Sequence, residues 1–154
     1  LGDVYKRQVL SDLLKVNTIA PIMILSGLVK KKKLRANSSV VFTSSVSGLG
    51  RVSPGNTMYA ATKGAVSTFV MGAAKELASK GIRVNAVCPG MTETDIMSHL
   101  AASEEQLEED RKTFPLKRYG KPEEIAWAII YLLSDASAWV TGTNLLIDGG
   151  RCLK

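Results

Sequence analysis

The alternation of apolar and polar positions along the chain predicts a regular succession of helices and strands. Short β-branched and aromatic runs, such as Val40-Val41-Phe42, are typical of buried strands, whereas longer apolar segments are typical of helices. The predicted strands cover 38–44, 82–88 and 144–147, and the predicted helices cover about 10–33, 57–80 and 122–134. Such alternation predicts an α/β fold in which helices cover a parallel sheet. We expect residues 91–118 to form a mobile segment.

The predicted helix at 57–80 is apolar on nearly all of its surface. Its apolar positions are Ala60, Ala61, Ala65, Val66, Phe69, Val70, Met71, Ala73, Ala74 and Leu77. A helix that is apolar all round is buried on more than one side. We therefore expect one side to cover the sheet and the other to pack against a partner, such as the same helix of a second subunit.

Tyr59 and Lys63 are the first candidate chemical groups, because they stand four residues apart on this helix. Residues at this spacing share a helix face, with Cβ atoms roughly 5–6 Å apart. A cation beside a tyrosine hydroxyl favours the deprotonated form, so such a tyrosine can exchange a proton near neutral pH. Ser45 follows the strand 38–44, and open α/β sheets bind ligands outside the carboxyl ends of their strands. We expect Ser45 and Tyr59 to open onto the same edge.

Asn17, Ser45, Tyr59 and Lys63 resemble the Asn-Ser-Tyr-Lys tetrad of the short-chain dehydrogenases/reductases. Further motifs of that family follow in its order. They are Asn85-Ala86-Val87-Cys88-Pro89-Gly90 with Thr94, then Arg118 to Ala126, then Thr141 to Gly150. The resemblance extends from about Ser11 to Gly150. It implies a Rossmann-type doubly wound parallel sheet, and assembly as a homodimer or homotetramer.

The resemblance also implies reversible hydride transfer between NAD or NADP and a carbonyl or secondary alcohol carbon of a small molecule. Tyr59 would act as the general acid/base, Lys63 would assist it and contact the nicotinamide ribose, and Ser45 would hydrogen bond the carbonyl oxygen. The residues expected to contact the cofactor are Tyr59, Lys63, Pro89, Gly90 and Thr94. The chain is most similar to members of the 3-oxoacyl-acyl-carrier-protein reductase type, which makes a 3-oxoacyl thioester a candidate substrate.

Asn17 and Ser45 each have a second interpretation. An asparagine within a helix indicates an irregularity, and Pro21 lacks the amide that would bond the carbonyl of residue 17. That carbonyl can then hold a water, and the resemblance gives Asn17 a place in a proton relay from Lys63 to solvent. Ser45 lies in a Ser- and Thr-rich stretch, where a lone serine is usually a loop hydrogen-bonding residue.

Part of the family pattern has no counterpart here. Only sixteen residues precede Asn17, so the first strand and the Gly-rich turn for the pyrophosphate are missing. Gly48-Leu49-Gly50 does not reach a third glycine at a helix start, and we interpret it as a flexible loop. Residues 1–8 fit no part of the pattern and are interpreted as non-native, leaving 9–154 as the C-terminal portion of one Rossmann-type domain. The chain is then either part of an enzyme or an inactive fragment that oligomerises without binding cofactor.

Composition narrows the class of protein. With 154 residues, 45% of them apolar, the chain can support a core, and no run reaches the roughly 18 consecutive apolar residues of a membrane span. Cys88 and Cys152 form no C-x-x-C pair, which favours a reducing cytoplasm. His99 is the only histidine, which excludes a multi-histidine metal site. We expect a cytoplasmic protein with no metal site and no membrane partner.

The charge is unevenly distributed: residues 1–83 carry a net +10 and residues 84–154 a net −4. The net charge is +6, and the densest basic cluster, Lys30 to Lys33 with Arg35, follows the apolar run Ile19 to Val29. The dipole at a helix C-terminus favours cations, and no aromatic residues separate these lysines, so we interpret the cluster as a solvated helix end rather than a nucleic-acid site. The acidic stretch Glu104 to Asp110, within Met91 to Leu116, is either part of a substrate lid or an ordinary solvated helix.

Overall fold

A computed structural model describes residues 6–95, 97 and 102–153 of the chain. Its strands β1 (Ser39–Thr43), β2 (Arg83–Pro89) and β3 (Asn144–Ile147) form one parallel sheet in the order β1-β2-β3. Val41 of β1 is paired with Asn85, and Cys88 of β2 is paired with Leu146. Each strand begins within one residue of its predicted start, so the predicted parallel α/β fold is confirmed.

The first helix is interrupted near its middle. Helix α1 (Arg7–Leu14) and helix α2 (Ala20–Lys30) are joined by a π-helical turn, Lys15–Ile19. The amide of Ala20 bonds the carbonyl of Lys15, and the next residue, Pro21, has no amide to offer. The irregularity predicted around Asn17 is therefore confirmed as a π-turn, and the helix begins earlier than expected, at Arg7.

An apolar surface flanks the free side of β1. In the described part of the chain, β1 pairs with β2 only, so its other edge has no strand beside it. Three exposed apolar side chains of α2 and the preceding π-turn line a groove with this strand. They are Val16, Ile24 and Leu28. By length and composition alone, Arg7–Lys30 is also apolar enough to cross a membrane, with a mean hydropathy of 1.5.

Helix α3 (Thr57–Ala78) provides most of the core on the sheet. Its buried residues Val66, Val70 and Leu77 belong to one apolar cluster with Phe42 and Val84 of the strands. The opposite face of α3 stays exposed and is small or apolar. It carries Ala61, Ala65, Thr68, Met71 and Gly72. One of the two predicted buried sides is therefore confirmed, and the packing of the other against a second subunit stays a prediction.

The segment expected to be mobile contains a short helix, α4 (Glu104–Lys112). Ser103 caps this helix, since its side chain accepts from Gln106 while Gln106 accepts from the Ser103 amide. A bridge between Thr92 and Gly120 brings the two ends of the segment together. The mobility stays a prediction, and His99 lies outside the described residues.

Helix α5 (Pro122–Leu133) begins where it was predicted. Its first turn is held by Glu124, which accepts the Lys121 amide and two hydrogen bonds of 2.7 Å from the Arg118 guanidinium. These hydrogen bonds lower the pKa of Glu124 to about 2, and those from Arg118 have the largest effect. The helix start is thus stabilised by a charge pair as well as by the proline.

Candidate active site

Ser45 occupies the turn directly after β1. Its backbone is extended and caps a 3₁₀ helix, Val46–Leu49, with the side-chain oxygen accepting the Ser47 amide at 3.2 Å. Serine is a favoured residue for this task because its oxygen satisfies an amide that has no partner in the helix. Ser45 is 8% exposed and lines an open cleft, so the cap fixes the side chain at the cleft wall.

Gly48 brings this 3₁₀ helix into close contact with α3. A Cβ atom at position 48 would lie 2.7 Å from the backbone carbonyl carbon and oxygen of Lys63, and 2.7 Å from the Ser44 hydroxyl oxygen. Only glycine fits without displacing the backbone of α3. The interpretation of Gly48-Leu49-Gly50 as a flexible loop is therefore wrong: Gly48 and Leu49 belong to a packed 3₁₀ helix, and Gly50 ends it with a left-handed φ of 86°.

Tyr59 and Lys63 lie on the first turns of α3, as the spacing predicts. The Lys63 ammonium nitrogen is 5.7 Å from the centroid of the Tyr59 ring and donates to the carbonyl oxygen of Thr43 at 2.9 Å. Thr43 is the last residue of β1, so this bond joins the helix to the strand end. Burial lowers the pKa of the Lys63 ammonium, while the nearby Cys88 thiol acts in the opposite direction.

Asn17 reaches the same helix through Thr62. Its side-chain amide donates to the Thr62 hydroxyl oxygen at 3.1 Å, and that hydroxyl donates to the Tyr59 carbonyl at 2.7 Å. The neighbouring Thr18 hydroxyl donates to the Thr62 carbonyl at 3.0 Å. The π-turn is thereby tied to the turn of α3 that carries Tyr59. Sequence reasoning missed Thr62, which is fully buried and whose only signal was its place inside Tyr59-Ala60-Ala61-Thr62-Lys63.

The open cleft brings four of the predicted site residues together. Ser45, Tyr59, Pro89 and Gly90 line its wall, and the cleft has a volume of about 640 Å³. It lies outside the carboxyl ends of the strands, where open α/β sheets bind ligands. The expectation that Ser45 and Tyr59 share one edge of the sheet is confirmed.

The other predicted site residues lie outside this cleft. Asn17 and Lys63 line a separate apolar groove of about 480 Å³ between α2 and β1. Thr94 is exposed and lies beside Leu107 and Arg111 of α4. Lys63 therefore approaches the cleft through its contact with the Tyr59 ring, and Asn17 through its hydrogen bond to Thr62. Thr94 lies apart from these residues, beside α4.

Asp148 shapes the far wall of the cleft, although sequence reasoning did not single it out. A Cβ atom at Gly90 would lie 2.9 Å from the Asp148 Cβ, so the ends of β2 and β3 approach closely at the cleft. The Asp148 carboxylate accepts the amides of Gly150 at 3.0 Å and Cys152 at 2.7 Å. These bonds fold the segment after β3 into a turn along the cleft wall.

The fold and this cleft define a protein of the parallel α/β class with a serine and a tyrosine at the carboxyl edge of its sheet. A family model described as Enoyl-(Acyl carrier protein) reductase matches residues 3–151. The chain belongs to the short-chain dehydrogenase/reductase family. The resemblance found in the sequence is confirmed, whereas the interpretation of residues 1–8 as non-native stays a prediction.

Individual relatives show how much of the family's length is present. The 3-oxoacyl-[acyl-carrier-protein] reductase FabG of Thermotoga maritima is 44% identical over 128 residues, which are 83% of this chain and 49% of that protein. The chain spans about half the length of the curated relatives it matches. The aligned part of this chain therefore corresponds to about half of each of these relatives.

Solved structures give the same result for the fold. A 4-hydroxyisoleucine dehydrogenase complexed with NADH is 28% identical, with a TM-score of 0.88 over 97% of this chain and 61% of that one. A gluconate 5-dehydrogenase from Burkholderia cenocepacia in complex with NADP and tartrate is 29% identical, with a TM-score of 0.88 over 97% of this chain and 58% of that one.

Proposed function

We propose that this chain is the C-terminal, catalytic portion of an NAD(P)-dependent oxidoreductase that interconverts a carbonyl and a secondary alcohol. The observation that carries the proposal is the cleft at the strand ends, where Ser45 and Tyr59 lie on one wall and the Lys63 ammonium lies 5.7 Å from the Tyr59 ring. A phenol with a cation beside it can pass a proton to and from an alkoxide, and a serine hydroxyl can stabilise that oxygen.

Each residue has a specific task in the proposed reaction. Tyr59 gives a proton to the carbonyl oxygen during reduction and takes it back during oxidation, while Ser45 donates a hydrogen bond to the same oxygen. Lys63 supplies positive charge beside Tyr59 and contacts the nicotinamide ribose. Asn17 holds the π-turn against α3 through Thr62, and its backbone carbonyl carries the water of the proton relay.

NAD or NADP is the proposed cofactor, and it supplies or accepts the hydride at the nicotinamide ring. The solved relatives with NADH and with NADP support this assignment. Pro89 and Gly90 at the end of β2, together with Tyr59 and Lys63, would hold the nicotinamide and its ribose. Thr94 is proposed as a further contact to the nicotinamide, although in this structure it lies beside α4.

The substrate and the location follow from the family resemblance. The relative from Thermotoga maritima supports a small carbonyl compound, such as a 3-oxoacyl thioester. We further propose that α4 and its flanking residues form a lid, because Asp110 and Phe114 line the cleft. A cytoplasmic location, with neither nucleic acid nor membrane as partner, is part of the same proposal.

Assembly into a homodimer or homotetramer would cover the apolar surface that the chain leaves exposed. The outer face of α3 is small and apolar, which allows close packing against the same helix of a second subunit. Helix α5 and the turn after it also expose apolar side chains, including Trp127, Ile130 and Trp139. Exposed apolar patches of this kind mark protein interaction sites.

A second candidate function is that the chain oligomerises without binding cofactor. Two features favour it. In the described part of the chain, the edge of β1 beside Lys63 has no partner strand, and α2 exposes apolar side chains next to that edge. A strand that lacks a neighbour is also a template for pairing with another chain. Titration of the 154-residue chain with NADH and NADPH, followed by cofactor fluorescence, distinguishes the two functions.

The enzymatic proposal is tested with Tyr59→Phe in the longer protein of which we propose this chain is a part. The change removes one hydroxyl and little volume, so turnover should fall while cofactor affinity is largely kept. Tyr131→Phe, on the exposed side of α5, is the matched control and should retain the wild-type rate. If Tyr59→Phe keeps more than about a tenth of the wild-type rate, a loss below roughly 1.4 kcal/mol, Tyr59 is not the acid/base.

A further inference from the structure

Two arginine side chains, Arg51 and Arg151, lie on the wall of the cleft that holds Ser45 and Tyr59. Arg151 has partners nearby: its guanidinium lies 3.9 Å from the Asp110 carboxylate and 5.3 Å from the Phe114 ring centroid. Arg51 takes part in none of the ion pairs found among residues 6–95, 97 and 102–153. Its side chain donates one hydrogen bond of 2.9 Å, to the carbonyl oxygen of Cys152. Arg51 therefore brings a positive charge that no described carboxylate pairs with.

The backbone fixes Arg51 at the cleft. Its amide donates to the Val46 carbonyl at 3.2 Å, and the preceding Gly50 adopts the left-handed conformation that ends the 3₁₀ helix. The packed turn therefore fixes the position of the Arg51 backbone relative to Ser45. Its bond to Cys152 joins residues 101 positions apart, so the side chain reaches from the turn after β1 to the segment after β3. It lies across two walls of the same cleft.

The two carboxylates on the cleft wall already have donors. Asp148 accepts the amides of Gly150 and Cys152. Asp110 accepts the Tyr119 hydroxyl at 2.9 Å and faces Arg151. Among the described residues, Arg51 is the arginine of this wall that has no carboxylate within ion-pair distance, whereas Arg151 lies 3.9 Å from Asp110. A guanidinium has five N–H donors, and one hydrogen bond to Cys152 leaves a fork that suits an oxyanion.

We propose that Arg51 determines substrate specificity by binding a carboxylate or phosphate group at the end of the substrate away from the reacting carbonyl. The inference rests on the proposed function, because Ser45 and Tyr59 are taken to hold that carbonyl in the same cleft. Planar oxyanions accept two parallel hydrogen bonds from arginine, which fixes orientation as well as affinity. The substrate class is therefore an oxo acid or a phosphorylated ketone, together with the corresponding alcohols.

The test uses ketone pairs that differ in charge. Levulinate is compared with methyl levulinate, and dihydroxyacetone phosphate with dihydroxyacetone, in the longer protein of which we propose this chain is a part. The wild type should prefer the anionic member of at least one pair, and the pair that shows the preference distinguishes carboxylate from phosphate. Arg51→Gln should lower kcat/KM at least tenfold for that anion and less than twofold for its neutral partner. Arg51→Lys should restore part of the preference.

A purely structural role for Arg51 gives a different result. If Arg51 only holds the segment of Cys152, Arg51→Gln lowers kcat/KM equally for the charged and neutral ketones, and the proposal is wrong. The proposal also fails if the wild type turns the ketones over but shows no preference for either anion. Arg151→Gln is the comparison variant: because Arg151 is engaged by Asp110, it should change both members of a pair by the same factor.

A binding measurement separates this inference from the proposed function. Glutarate is titrated calorimetrically into the wild type and Arg51→Gln, each saturated with NADH and, in a separate series, with NADPH. If no ketone is turned over, the proposed substrate chemistry fails, but glutarate binding that weakens at least tenfold in Arg51→Gln still supports an oxyanion site. Inorganic phosphate is titrated in the same way; equal affinity of the two proteins for both anions, or no binding of either anion to the wild type, overturns it.

Discussion

The Lys63 ammonium donates to the carbonyl oxygen of Thr43 at 2.9 Å, which ties the helix of the candidate site to the end of β1. The same nitrogen lies 5.7 Å from the Tyr59 ring centroid. One side chain therefore contributes both a packing contact and a charge beside the proposed acid/base. These two contributions can be separated by measuring stability and turnover on the same variant.

Lys63→Met removes the charge and keeps much of the side-chain volume. Turnover should fall, because the positive charge beside the proposed acid/base is lost, and Tm should fall with the hydrogen bond to Thr43. Cofactor affinity should fall as well. Lys75→Met, on the exposed part of α3, is the control and should leave turnover, Tm and affinity unchanged. A fall in affinity at unchanged turnover would show that Lys63 is a ribose ligand only.

Gly48→Ala tests the close contact between the 3₁₀ helix and α3. The new Cβ would lie 2.7 Å from the Lys63 carbonyl group, so the backbone must move, and overpacking of this kind costs about 1–3 kcal/mol. We expect a lower Tm and a loss of turnover, because Ser45 and Lys63 move with that backbone. Gly27→Ala in α2 is the control: no atom lies within 4 Å of its Cβ position, so α2 should be unchanged or stabilised by about 0.5–1 kcal/mol. Equal Tm changes in the two variants would contradict the contact.

The sequence was sufficient for the features that depend on local pattern. Val40, Val41 and Phe42 predicted a buried strand; the strand is confirmed, but of these three residues only Phe42 is buried. Tyr59 with Lys63 predicted a shared helix face, which is confirmed. It was insufficient for contacts between distant segments. Nothing near Gly48 indicates that the Lys63 backbone lies against it, and nothing near Arg51 indicates a bond to residue 152. Such contacts depend on how the elements pack, which local pattern does not encode.

Tyr119 anchors α4 to the rest of the fold. It is buried, and its hydroxyl lies 2.9 Å from an Asp110 carboxylate oxygen and 3.2 Å from the Leu107 carbonyl oxygen. Burial, followed by the contact with Asp110, raises the pKa of Tyr119 to about 12. Tyr119→Phe leaves the ring in place and removes the hydroxyl, which takes away a hydrogen bond to a charged group worth about 1.5–3 kcal/mol.

We expect Tyr119→Phe to speed amide hydrogen exchange in α4 while exchange in α3 is unchanged. If α4 is part of a substrate lid, KM should rise more than kcat falls. Tyr131→Phe on α5 serves as the control for loss of a hydroxyl at an exposed position. Unchanged exchange in α4 would contradict the anchoring role, and unchanged KM would contradict the lid.

Glu124 makes stability depend on pH at the start of α5. Its carboxylate has a folded-state pKa of about 2, below the ordinary value of 4.5. A carboxylate with a depressed folded pKa stabilises the fold above its unfolded pKa, and this stabilisation is lost as pH falls through the interval toward about 2. Glu124→Gln should therefore lower Tm at pH 7 and flatten the dependence of Tm on pH between about 5 and 2. Glu123→Gln, one residue earlier, is the control; an identical slope in both variants would contradict the role of the Arg118 pair.

The free edge of β1 predicts how the 154-residue chain behaves by itself. The strand pairs on one side only within the described residues, and Val16, Ile24 and Leu28 expose apolar surface beside it. Unpaired edges and apolar patches promote association, so the chain should form dimers or larger aggregates rather than a stable monomer. Size-exclusion chromatography with light scattering, at several concentrations, measures the mass directly. Ile24→Lys with Leu28→Lys should reduce aggregation, whereas Met71→Lys with Thr68→Lys on the outer face of α3 tests whether the other proposed interface is responsible. A soluble monomer that unfolds cooperatively on heating would show that neither surface needs a partner.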